Sequence, residues 1–334
     1  MKKVSLQSLG AALFGGSGTR AEIERAMRSE TDATARNTFV AIRRLAMETG
    51  AEEDVGRLYK DWKGVVAWIN GPSAPPSPAS KLCYYSALSA AARAVPSVSA
   101  SATSKKRFRA EAAALGKQIR AERSESRLDD RERAAILPWT DILAAYEKAA
   151  GSLGDADGVI AALYLAGGDD PAGAPRRLDY NAVRVYMDKA PKSVPSDLNY
   201  IVVRPGARVE LVLQEFKTSK HYGTYSARLP AKVSRVVQRS LEKRPREWLI
   251  HDASGNPLTP SGFGHRLAAT MKRLTGKAIG ASNLRKSFVT WLFSKRDLSP
   301  ARFREYARAM NHSSLEQQMY CRRNIGPGAE VDCR

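Results

Sequence analysis

Five side chains in the C-terminal half have the chemistry to exchange a phosphodiester bond without a metal ion: Arg176, Lys217, Arg285, His312 and Tyr320. A phosphate under attack gathers negative charge on its non-bridging oxygens. A guanidinium binds such oxygens through paired N–H donors and never releases its proton, which suits Arg176 and Arg285. The departing 5′-oxygen of deoxyribose needs a proton, and the ammonium of Lys217 can donate one. A phenol has a pKa of about 10, so Tyr320 needs positive charge and a hydrogen-bonding imidazole nearby before it can act as a nucleophile. The arginines and His312 supply both.

Local spacing narrows each choice. Arg177 stands beside Arg176, and the step of three residues to Asp179 favours Arg176. Lys217 opens the polar run Lys217-Thr218-Ser219-Lys220, in which Lys220 is the competing candidate and a possible DNA contact. His312 lies between Asn311 and Ser313-Ser314, eight residues before Tyr320; Tyr222, Tyr225 and Tyr306 have no such box. Ser314 with Gln317 three residues later forms a capping-box pattern, which predicts a helix starting just after His312 and holding Tyr320 about two turns in. Backbone N–H groups at a helix start favour a phosphate. In a chain with 54 lysines and arginines, one cation near any given place carries little weight. The ordered set of five types on suitable elements carries the reading.

Those residues must be held by elements the pattern also predicts. Phe39, Ile42, Leu45 and Ala46 recur at helical spacing before Gly50; Leu58, Trp62, Val65 and Ile69 mark a helix over about 54–69; Leu82, Tyr85, Leu88 and Ala92 mark a third, with Ser80 as its cap. Between the last two, the four prolines of residues 71–78 forbid regular structure. Trp62, Trp68 and Trp139 read as core. Residues 1–100 are therefore expected to form a helical bundle, and 101–137 a charged helical linker whose Lys105, Lys106, Arg107 and Arg109 can touch phosphates. A second domain over 138–334 opens at Pro138-Trp139. Asn199 to Val203, Val209 to Gln214 and about Thr224 to Leu229 predict a small antiparallel sheet. Helices are expected over 233–242, 261–274, 283–294, 300–310 and 314–322. The fold class is mainly α (α+β).

Charge agrees with a polyanionic partner. The chain of 334 residues carries a formal net charge of +20, distributed as 24 basic and 21 acidic residues up to residue 170 and 30 basic and 13 acidic beyond it. Solvated helix faces with paired charges would need more acids than the second half has. Self-repulsion on this scale points to nucleic acid or an anionic membrane. No apolar run is long enough for a membrane span, and the segment from Met1 to Phe14 is too polar for a signal peptide. Cys83, Cys321 and Cys333 form no paired motif and are expected as three reduced thiols in an intracellular protein, with no metal site.

The second half, over about 138–325, resembles the catalytic domain of the tyrosine recombinases (phage-integrase family), and the helices before it resemble that family's core-binding, SAM-like domain. Arg176 with Asp179, Lys217, Arg285, the box Asn311-His312-Ser313-Ser314 and Tyr320 stand where the family has its catalytic residues. The resemblance implies a site-specific recombinase that cleaves duplex DNA through a 3′-phosphotyrosyl link. It also implies a homotetramer passing through a Holliday junction, with no metal, ATP or other cofactor and with accessory DNA-bending proteins as possible partners. The expected place is with DNA, in a bacterial nucleoid or a eukaryotic nucleus. Three departures mark a divergent member. Ser282, beside Asn283, stands where the family often has histidine, the His312–Tyr320 interval is one residue short, and Asn311 replaces glycine, a mild change because Asn tolerates the left-handed conformation. The alternatives are a type IB topoisomerase with the same chemistry, or a non-catalytic architectural DNA-binding protein that has kept the fold.

Overall fold

The computed structural model describes residues 33–51, 56–75, 77–94, 102–124, 130–295, 297–322 and 325. The segment from Met1 to Phe14 and Cys333 lie outside them. The chain divides into two compact units, one ending at Glu125 and the other beginning at Ser126.

The first unit is helical: α1 (Ala33–Thr49), α2 (Arg57–Lys60), α3 (Trp62–Asn70), α4 (Pro78–Ala94) and α5 (Ala102–Ser124). The apolar stripes face inward as expected, burying Phe39, Ile42, Leu45, Leu58, Val65, Ile69, Tyr85 and Leu88. Trp62 and Trp68 pack at the margin of this core. The helix expected over 54–69 is broken at Asp61. Its carboxylate accepts from the Gly64 N–H at 3.1 Å and caps a new helix, the local bond by which Asp competes with helix continuation. Helix α4 starts earlier than Ser80, with the Ser77 hydroxyl accepting from the Ser80 N–H.

Helix α5 belongs to this core. Phe108 is fully buried, edge-on to Tyr59 at 5.8 Å and tilted against Tyr85 at 6.2 Å. The stretch 101–137 is thus divided between the two units. Lys106, Arg107 and Arg109 are exposed on α5, with Lys105 half-buried.

The second unit is built around α8 (Asp155–Leu165), whose residues from Val159 to Leu165 are all buried. A helix apolar on every side belongs at the centre of a domain. Helix α8 packs against α7 (Trp139–Ala149), α10 (Ala231–Lys243) and α11 (Pro260–Thr275), and the unit also holds α6 (Asp130–Ala135), α12 (Ala281–Ser294), α13 (Pro300–Ala309) and α14 (Ser314–Gln318). Trp139 is buried, 5.1 Å from Phe288.

The sheet has four strands in the order β1 (Val183–Met187), β2 (Asn199–Val203), β3 (Glu210–Leu213) and β4 (Tyr225–Arg228). The expected antiparallel sheet is corrected to a mixed one: β1 runs parallel to β2, and only β2–β3 and β3–β4 are antiparallel. Strand β1 is an edge strand buried fully only at Val183. A half-exposed edge strand of five residues leaves little hydrophobic signal in a sequence. Between β3 and β4 lies the one-turn helix α9 (Ser219–Tyr222).

Cys83 is an exposed free thiol. Cys321 is buried and disulfide-bonded, which corrects the expectation of a reduced thiol at that position. No helix among the described residues is long and apolar enough to cross a membrane.

Candidate active site

A tight turn delivers the first arginine. Gly167 and Gly173 approach so closely that a Cβ on Gly173 would lie 2.2 Å from the Gly167 Cα, so a side chain at either position would force the backbones apart. The chain then runs inward, and Arg176 is fully buried. Its guanidinium stacks on the Tyr225 ring at 3.8 Å, where β4 begins. With the Asn311 amide turned to satisfy both its ends, the amide oxygen accepts from Arg176 Nη1 at 2.8 Å and the nitrogen donates to the Arg308 carbonyl at 3.3 Å.

Arg285 enters from α12 and is also fully buried. Its Nη1 donates to the carbonyls of Met310 at 3.1 Å and Pro175 at 3.4 Å, and its Nη2 meets His312 Nδ1 at 3.1 Å. One guanidinium therefore ties together the segments carrying Arg176 and His312.

His312 owes its place to the end of α13. The His312 N–H donates to the Ala307 carbonyl and the Asn311 N–H to the Arg308 carbonyl, the paired bonds of a Schellman motif. Asn311 has φ of 54°, a left-handed conformation that Asn tolerates better than most residues other than glycine. The next residue starts a new helix. Ser313, not Ser314, is the cap, its hydroxyl accepting from the Glu316 N–H at 3.1 Å.

The tautomer of His312 follows from its partner. A guanidinium only donates, so Nδ1 is an acceptor and the proton sits on Nε2. Burial lowers the imidazole pKa to about 3, with Arg285 and Arg177 pushing the same way and the Gln317 amide pulling back. At neutral pH His312 is thus a neutral imidazole with its proton on Nε2.

Tyr320 differs from expectation in its secondary structure. Helix α14 is only five residues long and ends at Gln318, and Tyr320 follows in a turn. Arg322 closes the stop: its Nη1 donates to the carbonyls of Met319 and Cys321 at 2.8 and 2.9 Å, satisfying acceptors that the end of the helix leaves without an internal partner.

The phenol ring lies 4.8 Å from Arg285 Cζ and 5.4 Å from the His312 ring. Burial opposes ionisation of this phenol, but Arg285 by its charge and Arg177 by hydrogen bonding and charge outweigh it. The pKa of Tyr320 is drawn below the ordinary tyrosine value. By contrast, burial raises Tyr164 and Tyr180 well above it.

Four of the five residues singled out in the sequence, Arg176, Arg285, His312 and Tyr320, are therefore brought together. Asp179 joins them: burial raises its carboxyl pKa, against the pull of Arg176, Arg285 and Arg177. Lys217 and Lys220 are exposed. The loop carrying Lys217 is nevertheless tied to the site, because the Thr218 hydroxyl donates to the Asn311 carbonyl at 3.1 Å. Ser282 is exposed, and Asn283 turns its amide to the Ala135 carbonyl at 3.5 Å. Arg177 is the residue that spacing passed over. Its backbone carbonyl accepts from the Tyr164 hydroxyl while its side chain acts on Tyr320. The doubled arginine was the only signal for it.

Several buried donors at the site make no close hydrogen bond: Arg176 Nε and Nη2, Arg285 Nε and His312 Nε2, with the Tyr180 hydroxyl beside Arg176 and the Gln317 amide beside His312 likewise unpaired. Unpaired buried donors on two cations and a neutral imidazole would be satisfied by the oxygens of an anion. No protein-family model matches this chain, and no curated protein matches it.

Proposed function

We propose that this chain is a DNA strand-cleaving and rejoining enzyme of the tyrosine-recombinase kind, acting at specific duplex sites. The observation that carries the reading is the phenol of Tyr320, held below its ordinary pKa by Arg285 and Arg177 beside a neutral histidine, in a site where Arg176, Arg285 and His312 have buried donors to spare. The mixed sheet flanked by helices, and the excess of basic residues beyond residue 170, support it as a duplex-binding domain. The first unit then corresponds to a helical core-binding domain.

In this reading Tyr320 gives its proton to solvent and its oxygen attacks the scissile phosphorus. The bond to the 5′-oxygen breaks, and Lys217 donates a proton to the leaving oxygen. Arg176, Arg285 and the Nε2–H of His312 bind the non-bridging oxygens, whose charge rises in the transition state. The Tyr320 ring lies over Arg285, so it turns aside as the phosphate enters. Rejoining is the reverse attack by a 5′-hydroxyl, from the same strand or from a partner duplex in a tetramer. None of these steps calls on metal or ATP.

The test uses nicked suicide duplexes made from the sequences that flank the gene in its genome. Wild-type protein should become covalently attached to the 3′ end under denaturing conditions, and Tyr320→Phe should abolish the adduct. An adduct that persists in Tyr320→Phe overturns the nucleophile; no wild-type adduct on any flanking sequence overturns the enzyme reading in favour of an architectural DNA-binding protein.

A further inference from the structure

The turn that carries Tyr320 is held from behind by a cluster lying outside the phosphate-binding group. Arg322, two residues beyond Tyr320 and almost fully buried, donates through Nε to Glu132 at 3.1 Å and through Nη2 at 3.3 Å. Lys286 of α12 pairs with the same carboxylate. The backbone N–H of Arg322 donates to the Thr290 hydroxyl at 2.9 Å, and its Nη1 takes the carbonyls on either side of Tyr320, at Met319 and Cys321. Helix α12 thus presents Arg285 to the phenol and the very next residue, Lys286, to the anchor.

Glu132 comes from α6, the first described element after the junction between the two units. The segment from Ala135 to Leu137 is also tied to α12, through Asn283 and through the Ser287 hydroxyl, which donates to the Leu137 carbonyl at 2.6 Å. One carboxylate thus stands between two cations drawn from stretches more than a hundred residues away. Burial works against its charge, and Arg322 and Lys286 more than offset that, so Glu132 stays ionised.

We propose that Glu132 is a positioning residue for Tyr320: through Arg322 and Lys286 it fixes the backbone of the turn that follows α14, so that the phenol swings from its place over Arg285 to the phosphate about a fixed Cα. The inference rests on the proposed role of Tyr320 as nucleophile. Its physical basis is that Arg322 reaches the peptide groups on both sides of that tyrosine, so a shift of the guanidinium becomes a shift of the phenol. Misplacing a reacting group by about 1 Å costs on the order of a hundredfold in rate.

The experiment compares wild type with Glu132→Gln, which keeps the shape but loses the charge, and Glu132→Asp, which keeps the charge. Reductant is present throughout so that the Cys321 disulfide holds the segment in none of them. The first readout needs no DNA. Amide hydrogen exchange in residues 314–322 should speed up about tenfold or more in Glu132→Gln, with the rest of the second unit unchanged, and should stay near wild type in Glu132→Asp. Unchanged exchange in Glu132→Gln overturns the anchor whatever the enzyme does.

The second readout is adduct formation on a randomised pool of nicked duplexes. Glu132→Gln should lower the rate at saturating DNA about ten- to a hundredfold while leaving the DNA affinity as it was. Glu132→Asp should recover the greater part of the rate. An equal or faster rate in Glu132→Gln overturns the positioning role. Absence of any wild-type adduct instead defeats the reading of Tyr320 as nucleophile, and exchange alone then judges the anchor.

Discussion

Arg285 and Lys217 have comparable parts in the proposed chemistry, yet the protein holds them in opposite ways. Arg285 is fully buried, bonded to two backbone carbonyls and to His312, with an aromatic ring over its face. Lys217 is exposed on the loop before α9, and its side chain makes no hydrogen bond or ion pair among the described residues. A cation that must stabilise charge at a fixed point gains from being preorganised in a dry place, where reorganisation costs nothing at the moment of reaction. A group that must meet the leaving oxygen of an incoming strand has to sit where the duplex can reach it, and an exposed loop provides that.

The largest effect that would test this contrast is expected from Arg285→Ala. Adduct formation on the suicide duplex should fall by about a thousandfold, the upper end for one transition-state donor, and the melting temperature should fall with it. Loss of the guanidinium leaves His312 Nδ1 and the Met310 carbonyl unpaired. A variant that melts like wild type would show that Arg285 is not the structural centre of the site. Lys217→Ala should lose on the order of a hundredfold in rate, within the range for a general acid, at an unchanged melting temperature.

A duplex whose leaving 5′-oxygen is replaced by sulfur sharpens the same contrast. A thiolate, with a conjugate-acid pKa of about 8.5, departs without a proton, so Lys217→Ala should recover its rate and Arg285→Ala should not. Recovery of both, or of neither, would remove Lys217 from the role of acid.

The smallest effect concerns pH and stability. The folded protein holds His312 at a pKa of about 3 against 6.5 in an unfolded chain, so between these values the unfolded state binds the extra proton. Stability contributed by the neutral imidazole is therefore complete above about pH 6.5 and is lost as the pH falls toward 3. Denaturant titrations across that window should show a shallower acid-side decline in His312→Asn than in wild type. An imidazole that titrates by NMR at its ordinary value would contradict the burial of the ring beside Arg285.

The legible part of the fold was its periodicity. Burial of apolar residues every three or four positions is a local property, so α1, α3, α4 and most helices of the second unit could be read directly. Asn311 was legible too, because few residues other than glycine accept its backbone conformation. Asp61, the early end of α14 and the parallel edge strand β1 were not. Each involves one side chain or one distant strand beyond the local preference. The same limit applied at the site, where two adjacent arginines could be ranked only by spacing, and packing uses both: Arg176 against Tyr225 and Asn311, Arg177 against Tyr320.

By itself the sequence determined the inventory: which side chains have the chemistry, their order along the chain, the helices that bear them and the basic excess of the second half. Those are properties of residue types and short spacings. Only the tertiary structure decided their states. A phenol more acidic than usual, an imidazole locked as a neutral donor and a carboxylate at 132 holding an arginine at 322 all arise from desolvation and charge between groups far apart in the chain. Such terms depend on distance through space, which short spacings along a sequence do not contain.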